Sequence, residues 1–482
     1  MPTARPPCRL ITPCAPWSWG KSWTSCVATC CVIVKWIPGR WSRCWRRSTP
    51  TSLHNKHHYF SPLNGPLMRF IHTSDIHLGK TYRNAPGETE RYEDFFTCLA
   101  QIVADAVTEQ VDALLVGGDL FHVGQILPKT FAKTIETLQP LKDAGIPCIA
   151  IEGNHDWIHR RDSISWMEAL SQMGYIKLLR PARTEEGGYH FVPFDEESGM
   201  GGHVDINGVN IYGLGYIGAQ AGSHVERICQ AVTTDNNLLL FHVGIWSYSP
   251  VEIGNMKPDE AHPLAETFSY VALGHGHKPY VVKTPDGTPY AYNPGSPERV
   301  NFGEETYDKG YYLVSIEDGH VCAEFKITMP RPMMVAAIDL GGAQHADEAM
   351  DSFARQVQEL VAEQTDNRRP LLELKLVGKV GFHPFELGRE RLRAALDDIA
   401  QPLHVEIKNH LSLVTRAKDN ATAKKSLSEI EQDVLHELVG ASSDYQGREE
   451  ELVKLSLLLR DAVQKGDVDG DELLALLDGE GA

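Results

Sequence analysis

Five short apolar runs in this chain each stop at a cluster of Asp, Asn, His and Gly. "RFIHTSD" runs into Asp75-Ile76-His77, "VDALLVGGD" into Gly118-Asp119, and "IPCIAIEGNHD" into Gly153-Asn154-His155-Asp156. "NLLLFHVG" passes through His242, and "YVALGHGH" ends at Gly274-His275-Gly276-His277. Apolar runs of this length, bounded by turn residues, read as buried strands. Helical patterns lie between the first three. Over 91–109, Tyr92, Phe95, Phe96, Leu99, Ile102, Val103 and Ala106 share one stripe, and a second helix is predicted over 128–143, before Gly145. Strand–helix–strand alternation with apolar strands requires a layered α/β core. In such a sheet the carboxyl ends of the strands open on one crevice. Asp75, His77, Asp119, Asn154, His242, His275 and His277 are therefore delivered to one region.

Taken singly, each cluster has an ordinary explanation. Asp75, Asn154 and Asp156 suit turns, and a lone His242 is more often a satisfied core histidine. Together they form a ligand set of Asp, Asn and His without Cys, which suits manganese, iron or zinc in a reactive site. Seven such groups exceed one tetrahedral site and match two metals sharing a ligand. Two metals about 3.5–4 Å apart clamp the attacking and leaving oxygens of an in-line displacement at phosphorus. The residues alone thus point to a dinuclear metal phosphoesterase.

The order D-x-H, GGD, GNHD, a lone His and GHxH resembles the calcineurin-like metallophosphoesterase superfamily. Within it, "FIHTSDIHLGK", "GGDLFH" and "YNPGSPERVNFGEE" resemble the SbcD/Mre-eleven nucleases of double-strand-break repair. The resemblance is strong over 68–325 and rests on layout alone beyond. It implies two sheets flanked by helices, a small α+β capping domain and a C-terminal helical segment. It also implies two divalent ions, manganese first. Asp75, His77 and His277 would hold one, Asn154, His242 and His275 the other, and Asp119 would bridge them. His155 would act on the scissile phosphate without binding metal, and His122 would help place that phosphate. Asp156 would orient His155 or close the turn. The implied activity is 3′–5′ exonuclease and endonuclease action at DNA ends, with an SbcC-type coiled-coil ATPase as partner and a homodimer as assembly. The location it implies is cytoplasmic, at the nucleoid, with no membrane. A metallophosphatase or phosphodiesterase on another substrate is the nearest rival, and an end-tethering scaffold with structural metals is the third.

Residues 68–330 are expected to form the nuclease domain and 331–415 the capping domain, with "PRP" at 330–332 between them. The predicted capping elements are strand 333–339, helix 345–362, strand 371–377, helix 385–399 and strand 403–407. Residues 424–482 read as helices able to dock on the ATPase, with a capping-box spacing at Ser426 and Glu429. "GTPYAYNPGSPERVNFGEE" and "KGYYLVSIEDG" read as exposed antiparallel strands. Residues 1–67 contain nine Lys or Arg, no Asp or Glu, six of ten Cys and six of nine Trp. They show no sustained period and are expected to be a non-native or disordered leader before a start at Met68. The four remaining Cys are scattered and make neither a zinc spacing nor a disulfide framework.

Residues 68–482 hold 37 basic and 64 acidic residues, a net of −27. Such a balance opposes long-range attraction to nucleic acid. DNA contact must then be local, and Arg160, Arg161, Lys278 and Arg299 are candidates. Gly79-Lys80-Thr81 echoes a phosphate-binding loop, but the required Gly is Ser74. "DVDGDE" at 467–472 places its Gly too early for a calcium loop.

Overall fold

Phe70 and Ile71 are neighbours in the first strand, yet they belong to different hydrophobic layers. That split follows from the two-residue period of a strand, which sends successive side chains to opposite faces. The computed structural model describes residues 68–82, 86–157, 163–249, 253–317, 319–362, 364–414, 427–440 and 449–465. The strands of the core are β1 (Met68–Thr73), β2 (Ala113–Val116), β3 (Cys148–Ala150), β4 (Lys177–Leu179), β5 (Val209–Leu214), β6 (Asn237–Phe241), β7 (Tyr270–Leu273), β8 (Pro289–Asn293), β9 (Gly310–Glu317) and β10 (His320–Ile327). One sheet runs in the order β10-β9-β1-β2-β3-β4 and ends on a short strand at Met200–Gly201. The other runs from Tyr280–Lys283 through β8-β7-β6-β5 to His203–Ile206. β1 to β4 are parallel, as are β5 to β8.

Three layers of packing result. Phe70, Leu115, Ile149, Leu238, Leu240 and Tyr270 meet between the sheets. On the outer face of the first sheet, Ile71, Leu114 and Val116 pack under α1 (Glu88–Thr108) and α2 (Pro128–Ala144). Leu239, Phe241 and Val271 do the same on the second sheet, under α4 (Ala221–Ala231), which follows the short α3 (Trp166–Gln172). The predicted helices fall where expected. α2 begins on Pro128 and stops at Gly145, whose φ of +71° gives the left-handed turn that ends helices.

Two strands are not exposed as the sequence suggested. β8 pairs parallel with β7, and Tyr290, Ala291 and Tyr292 are buried. β9 pairs antiparallel with β1 and β10, with Tyr311 to Val314 buried. Their tyrosines look amphipathic in sequence, but Tyr292 and Tyr312 pack between the sheets, and Tyr290 and Tyr311 pack in the outer layers. The Tyr270 and Tyr292 centroids lie 4.6 Å apart with 10° between planes.

The second half adds β11 (Met333–Asp339), α5 (Ala346–Ala362), β12 (Leu371–Val380), α6 (Arg389–Ile399) and β13 (His404–Leu413). Their three strands are parallel in chain order, with Phe353, Val357, Leu392 and Leu396 in the core beneath. Gly388, at φ +62°, divides the helix expected over 385–399 into a tight turn at Pro384–Leu387 and α6. This unit is tied to the two-sheet core by buried charges. Arg331 donates to both carboxylate oxygens of Asp94, at 2.6 and 2.7 Å, and its N–H donates to Glu298 at 2.9 Å. Helices α7 (Leu427–Gly440) and α8 (Glu449–Lys465) follow, joined by an Arg460–Glu431 ion pair. No helix among the described residues is long and apolar enough to cross a membrane. The leader, Ser426 and the 467–472 acidic stretch lie outside the described residues.

Candidate metal centre

Parallel strands leave their carboxyl ends on one edge, and here both sheets do so side by side. β1 ends before Asp75 and His77, β2 before Asp119, β3 before Asn154, β6 before His242 and β7 before His275 and His277. Cross-links between these ends come from the backbone. The N–H groups of Asp75 and His77 donate to the carbonyls of Gly118 and Asp119, each at 3.0 Å. The N–H of His275 donates to the Asp75 carboxylate at 3.0 Å, and that of His155 to Asp119 Oδ1 at 2.8 Å.

The backbone is strained where the ligand candidates sit. Asp75, His77, Asp119 and His275 have φ of +53°, +53°, +51° and +76°. A non-glycine residue there costs on the order of 1 kcal/mol or more, and such positions cluster at functional sites. Glycine is needed beside them for another reason. A Cβ on Gly153 would lie 2.0 Å from Asp119 Oδ1, and one on Gly118 would lie 2.3 Å from His242 Nδ1. The glycines of "GGD" and "GNHD" thus let two strand ends approach within carboxylate reach.

Hydrogen bonds to the outer ring nitrogens set which nitrogens face inward. His242 Nδ1 bonds the Gly117 carbonyl at 2.7 Å, and His275 Nε2 bonds that of Ile253 at 2.6 Å. His277 Nδ1 bonds the Glu304 carboxylate at 2.7 Å. Each of these contacts requires the ring N–H on the outside and leaves a lone pair inside. His77 Nε2 and His277 Nε2 then face each other at 3.0 Å, and Asn154 Oδ1 lies 3.2 Å from His242 Nε2 and 2.9 Å from His275 Nδ1. Asp119 Oδ2 stands between the groups, 3.9 Å from His77 Nε2 and 3.6 Å from His242 Nε2.

Burial keeps His77, His242 and His275 neutral. It pulls His242 down to about 4, and it lowers His275 and, with four neighbouring histidines, His77. The Asp119 carboxyl is pushed well up, first by burial and then by Asp156 and Asp75. Among the described residues no Lys or Arg pairs with Asp75, Asp119 or Asp156. Buried carboxylates ringed by neutral nitrogen lone pairs are a donor set matched to divalent cations. The trios Asp75–His77–His277 and Asp75–Asp119–His242 each bring their ligand atoms within 4.8 Å, so these residues fit a metal pair.

Residues 68–279 match the family described as Calcineurin-like phosphoesterase. Those residues have the calcineurin-like phosphoesterase fold. Within that family the chain resembles the SbcD/Mre-eleven proteins, as its motifs led one to expect. Relatives include the "DNA double-strand break repair protein Mre11" of Saccharolobus solfataricus, 27% identical over 320 residues, or 65% of this chain and 76% of that protein. That of Haloferax volcanii is 29% identical over 296 residues, 61% of this chain and 58% of that protein. That of Archaeoglobus fulgidus is 25% identical over 428 residues, 84% of this chain and 93% of that protein, a span longer than the phosphoesterase core.

Other residues of this candidate centre have distinct surroundings. His155 and His122 stack at 5.5 Å, and His155 Nδ1 bonds the His122 carbonyl at 2.7 Å. Both rings stand near His77, with centroids 4.9 and 5.4 Å away. Asp156 does not reach the His155 ring by any hydrogen bond in the structure. Its carboxylate accepts the N–H groups of Phe121, Gly153 and Leu120 at 2.8, 2.9 and 3.2 Å, so it closes the turn. Burial pushes that carboxyl up to about 7 against the pull of those three bonds. Arg299 is half-buried, and its guanidinium donates to the carbonyls of Glu305 and Arg331. Lys278 is exposed, its Nζ 5.6 Å from the Tyr307 ring centre. Arg160 and Arg161 lie outside the described residues. Sequence reasoning missed Glu304. Its only signal was an acidic pair in "NFGEE", and nothing local says that one of the two is buried against His277.

Proposed function

We propose that this chain is a DNA nuclease that hydrolyses phosphodiester bonds at DNA ends, using two divalent cations, manganese first. The observation that carries this is the position of Asp119. Its carboxylate stands between His77 and His242, and each of these belongs to a separate ligand group. Asp75, His77 and His277 would hold one cation, Asn154, His242 and His275 the other, with Asp119 between. When bound, the pair supplies positive charge to the attacking and leaving oxygens of an in-line displacement. Neutral Asn154 limits the negative charge that a phosphodiester must approach.

His155 is the acid of this scheme. With Nδ1 committed to the His122 carbonyl, Nε2 is the ring atom from which a proton would pass to the leaving 3′ oxygen. His122 holds His155 through that carbonyl and offers its own ring to the phosphate. The names of the relatives support double-strand-break repair as the setting. The reading extends to 3′–5′ exonuclease and endonuclease action, to a homodimer, and to an SbcC-type ATPase docking on the helices of 424–482. It places the nuclease domain at 68–330 and the capping domain at 331–415. A net charge of −27 in 68–482 calls for weak, salt-sensitive DNA binding by the chain alone.

The test is hydrolysis of end-labelled duplex DNA with manganese, beside a generic phosphatase ester. Shortening from the 3′ end is expected. Ester cleavage with intact DNA would move the assignment to a phosphatase. His155→Asn should abolish hydrolysis while keeping metal content and DNA affinity. Wild-type hydrolysis by that variant would refute the acid role.

A further inference from the structure

The turn Gly153–Asp156 has a second side. There Trp157 lines a cavity of about 330 Å³ together with Glu152, Ser163, Ser165, Glu168 and Arg180. That volume sits at the low end of small-ligand sites. Trp157 is 55% exposed, directly after the turn that carries Asn154 and His155. Its ring lies 5.8 Å from Tyr216, and Tyr216 lies 5.3 Å from His275 and 6.0 Å from His242. An aromatic surface therefore runs from the ligand cluster to the cavity.

The polar wall has a definite chemistry. Arg180 is the one guanidinium among the described lining residues, and it is shared by Glu152 at 2.7 Å and Glu168 at 3.4 Å. Among the described lining residues one cation stands against two carboxylates, a balance that disfavours phosphate. Glu152 spends Oε2 on Arg180, while its Oε1 is buried without a hydrogen-bond partner among the described residues. A buried acceptor calls for a donor. The fitting ligand is flat, carries N–H donors, and is attached to a phosphate held by the neighbouring cluster. A nucleobase has all three properties. Enzymes that work at a base or strand end take it out of the stack, and aromatic side chains receive it whatever its identity.

We propose that Trp157 and this cavity receive the unpaired base of the nucleotide beside the scissile phosphate, which makes Trp157 a specificity residue for frayed or single-stranded ends. This rests on the nuclease reading above. The test uses the full chain with manganese, an oligonucleotide with an unpaired 3′-terminal nucleotide, the same oligonucleotide with an abasic 3′ terminus, and bis(p-nitrophenyl) phosphate. Trp157→Ala should lower the DNA-to-ester rate ratio at least about tenfold, the scale of base–aromatic stacking, through KM more than kcat. Trp157→Phe should restore most of it. Wild type should lose a similar factor on the abasic end, and Trp157→Ala should lose little more there. Where ends are bound but not cut, the same comparisons are read from affinities. An unchanged ratio in Trp157→Ala, or an abasic end handled as well as an intact one by wild type, overturns the base pocket alone. Wild type that hydrolyses the ester but neither binds nor cuts DNA overturns the nuclease reading, and the pocket with it.

Discussion

Glu304→Gln keeps the shape of a buried side chain and removes its charge. The carboxylate accepts His277 Nδ1–H at 2.7 Å, Lys309 Nζ at 2.5 Å, Asn301 Nδ2 at 2.8 Å, Val300 N–H at 3.0 Å and Ser296 Oγ at 3.3 Å. Two separate losses should follow. His277 would lose the anionic acceptor that holds its proton on the outer nitrogen. Loss of such an outer partner costs about 10–100-fold in metal affinity or activity, roughly 1.4–2.7 kcal/mol. Lys309, whose side chain is wholly buried, would lose its counter-charge. Removing one member of a buried pair costs about 3–5 kcal/mol, so stability should suffer more than metal binding. Glu304→Gln with Lys309→Met separates the two. The double variant should regain stability and keep the metal defect.

Isothermal titration of manganese into chelator-stripped chain reads the first loss, and urea unfolding of the same samples reads the second. Acid provides a further check on the stripped protein. Burial alone would raise the Glu304 carboxyl, but the His277 bond and the Lys309 charge outweigh it and hold it at about 2, below the ordinary 4.5. A depressed carboxyl stabilises the fold above its unfolded pKa and loses that contribution as pH falls from about 4.5 toward 2. Glu304→Gln should flatten that part of the acid profile. Wild-type manganese affinity at both sites in Glu304→Gln would refute the role assigned to the carboxylate.

Other substitutions probe the remaining supports. Gly153→Ala places a Cβ 2.0 Å from Asp119 Oδ1. Displacing that carboxylate should lower bound metal and cut hydrolysis on the order of hundredfold, the scale of a 1 Å misplacement. Normal metal content, measured by atomic emission, would count against the close approach. Asp94→Ala removes the bidentate partner of Arg331 and leaves a buried guanidinium uncompensated. Urea unfolding should show a loss of about 3–5 kcal/mol, and a loss under about 1 kcal/mol would mean water reaches the pair.

The sequence made the candidate metal cluster legible because each part of it is local. A polar cluster after an apolar strand is visible in ten residues, and parallel strands must present such clusters together. The same reasoning misjudged β8 and β9. Tyr290 and Tyr292 alternate in β8 and Tyr311 and Tyr312 adjoin in β9, yet all four are buried, because layers packed on both faces of each sheet cover them. It also left Asp156 with two roles, which the three N–H groups around its carboxylate reduce to one.

What a chain reveals by itself is what short-range geometry dictates: strand, helix, turn, and which residues leave a strand end. Asp75, His77, Asp119, Asn154, His242, His275 and His277 were open to that reading. The tertiary structure alone decided which proton faces outward on His242, His275 and His277, that Glu304 holds His277, that Arg331 closes on Asp94 from 237 residues away, and that Trp157 opens on a cavity beside a carboxylate oxygen with no partner among the described residues. Each of these depends on partners brought together from distant strands and loops. A hydrogen bond or an ion pair exists only at contact distance, and no spacing along the chain encodes that distance.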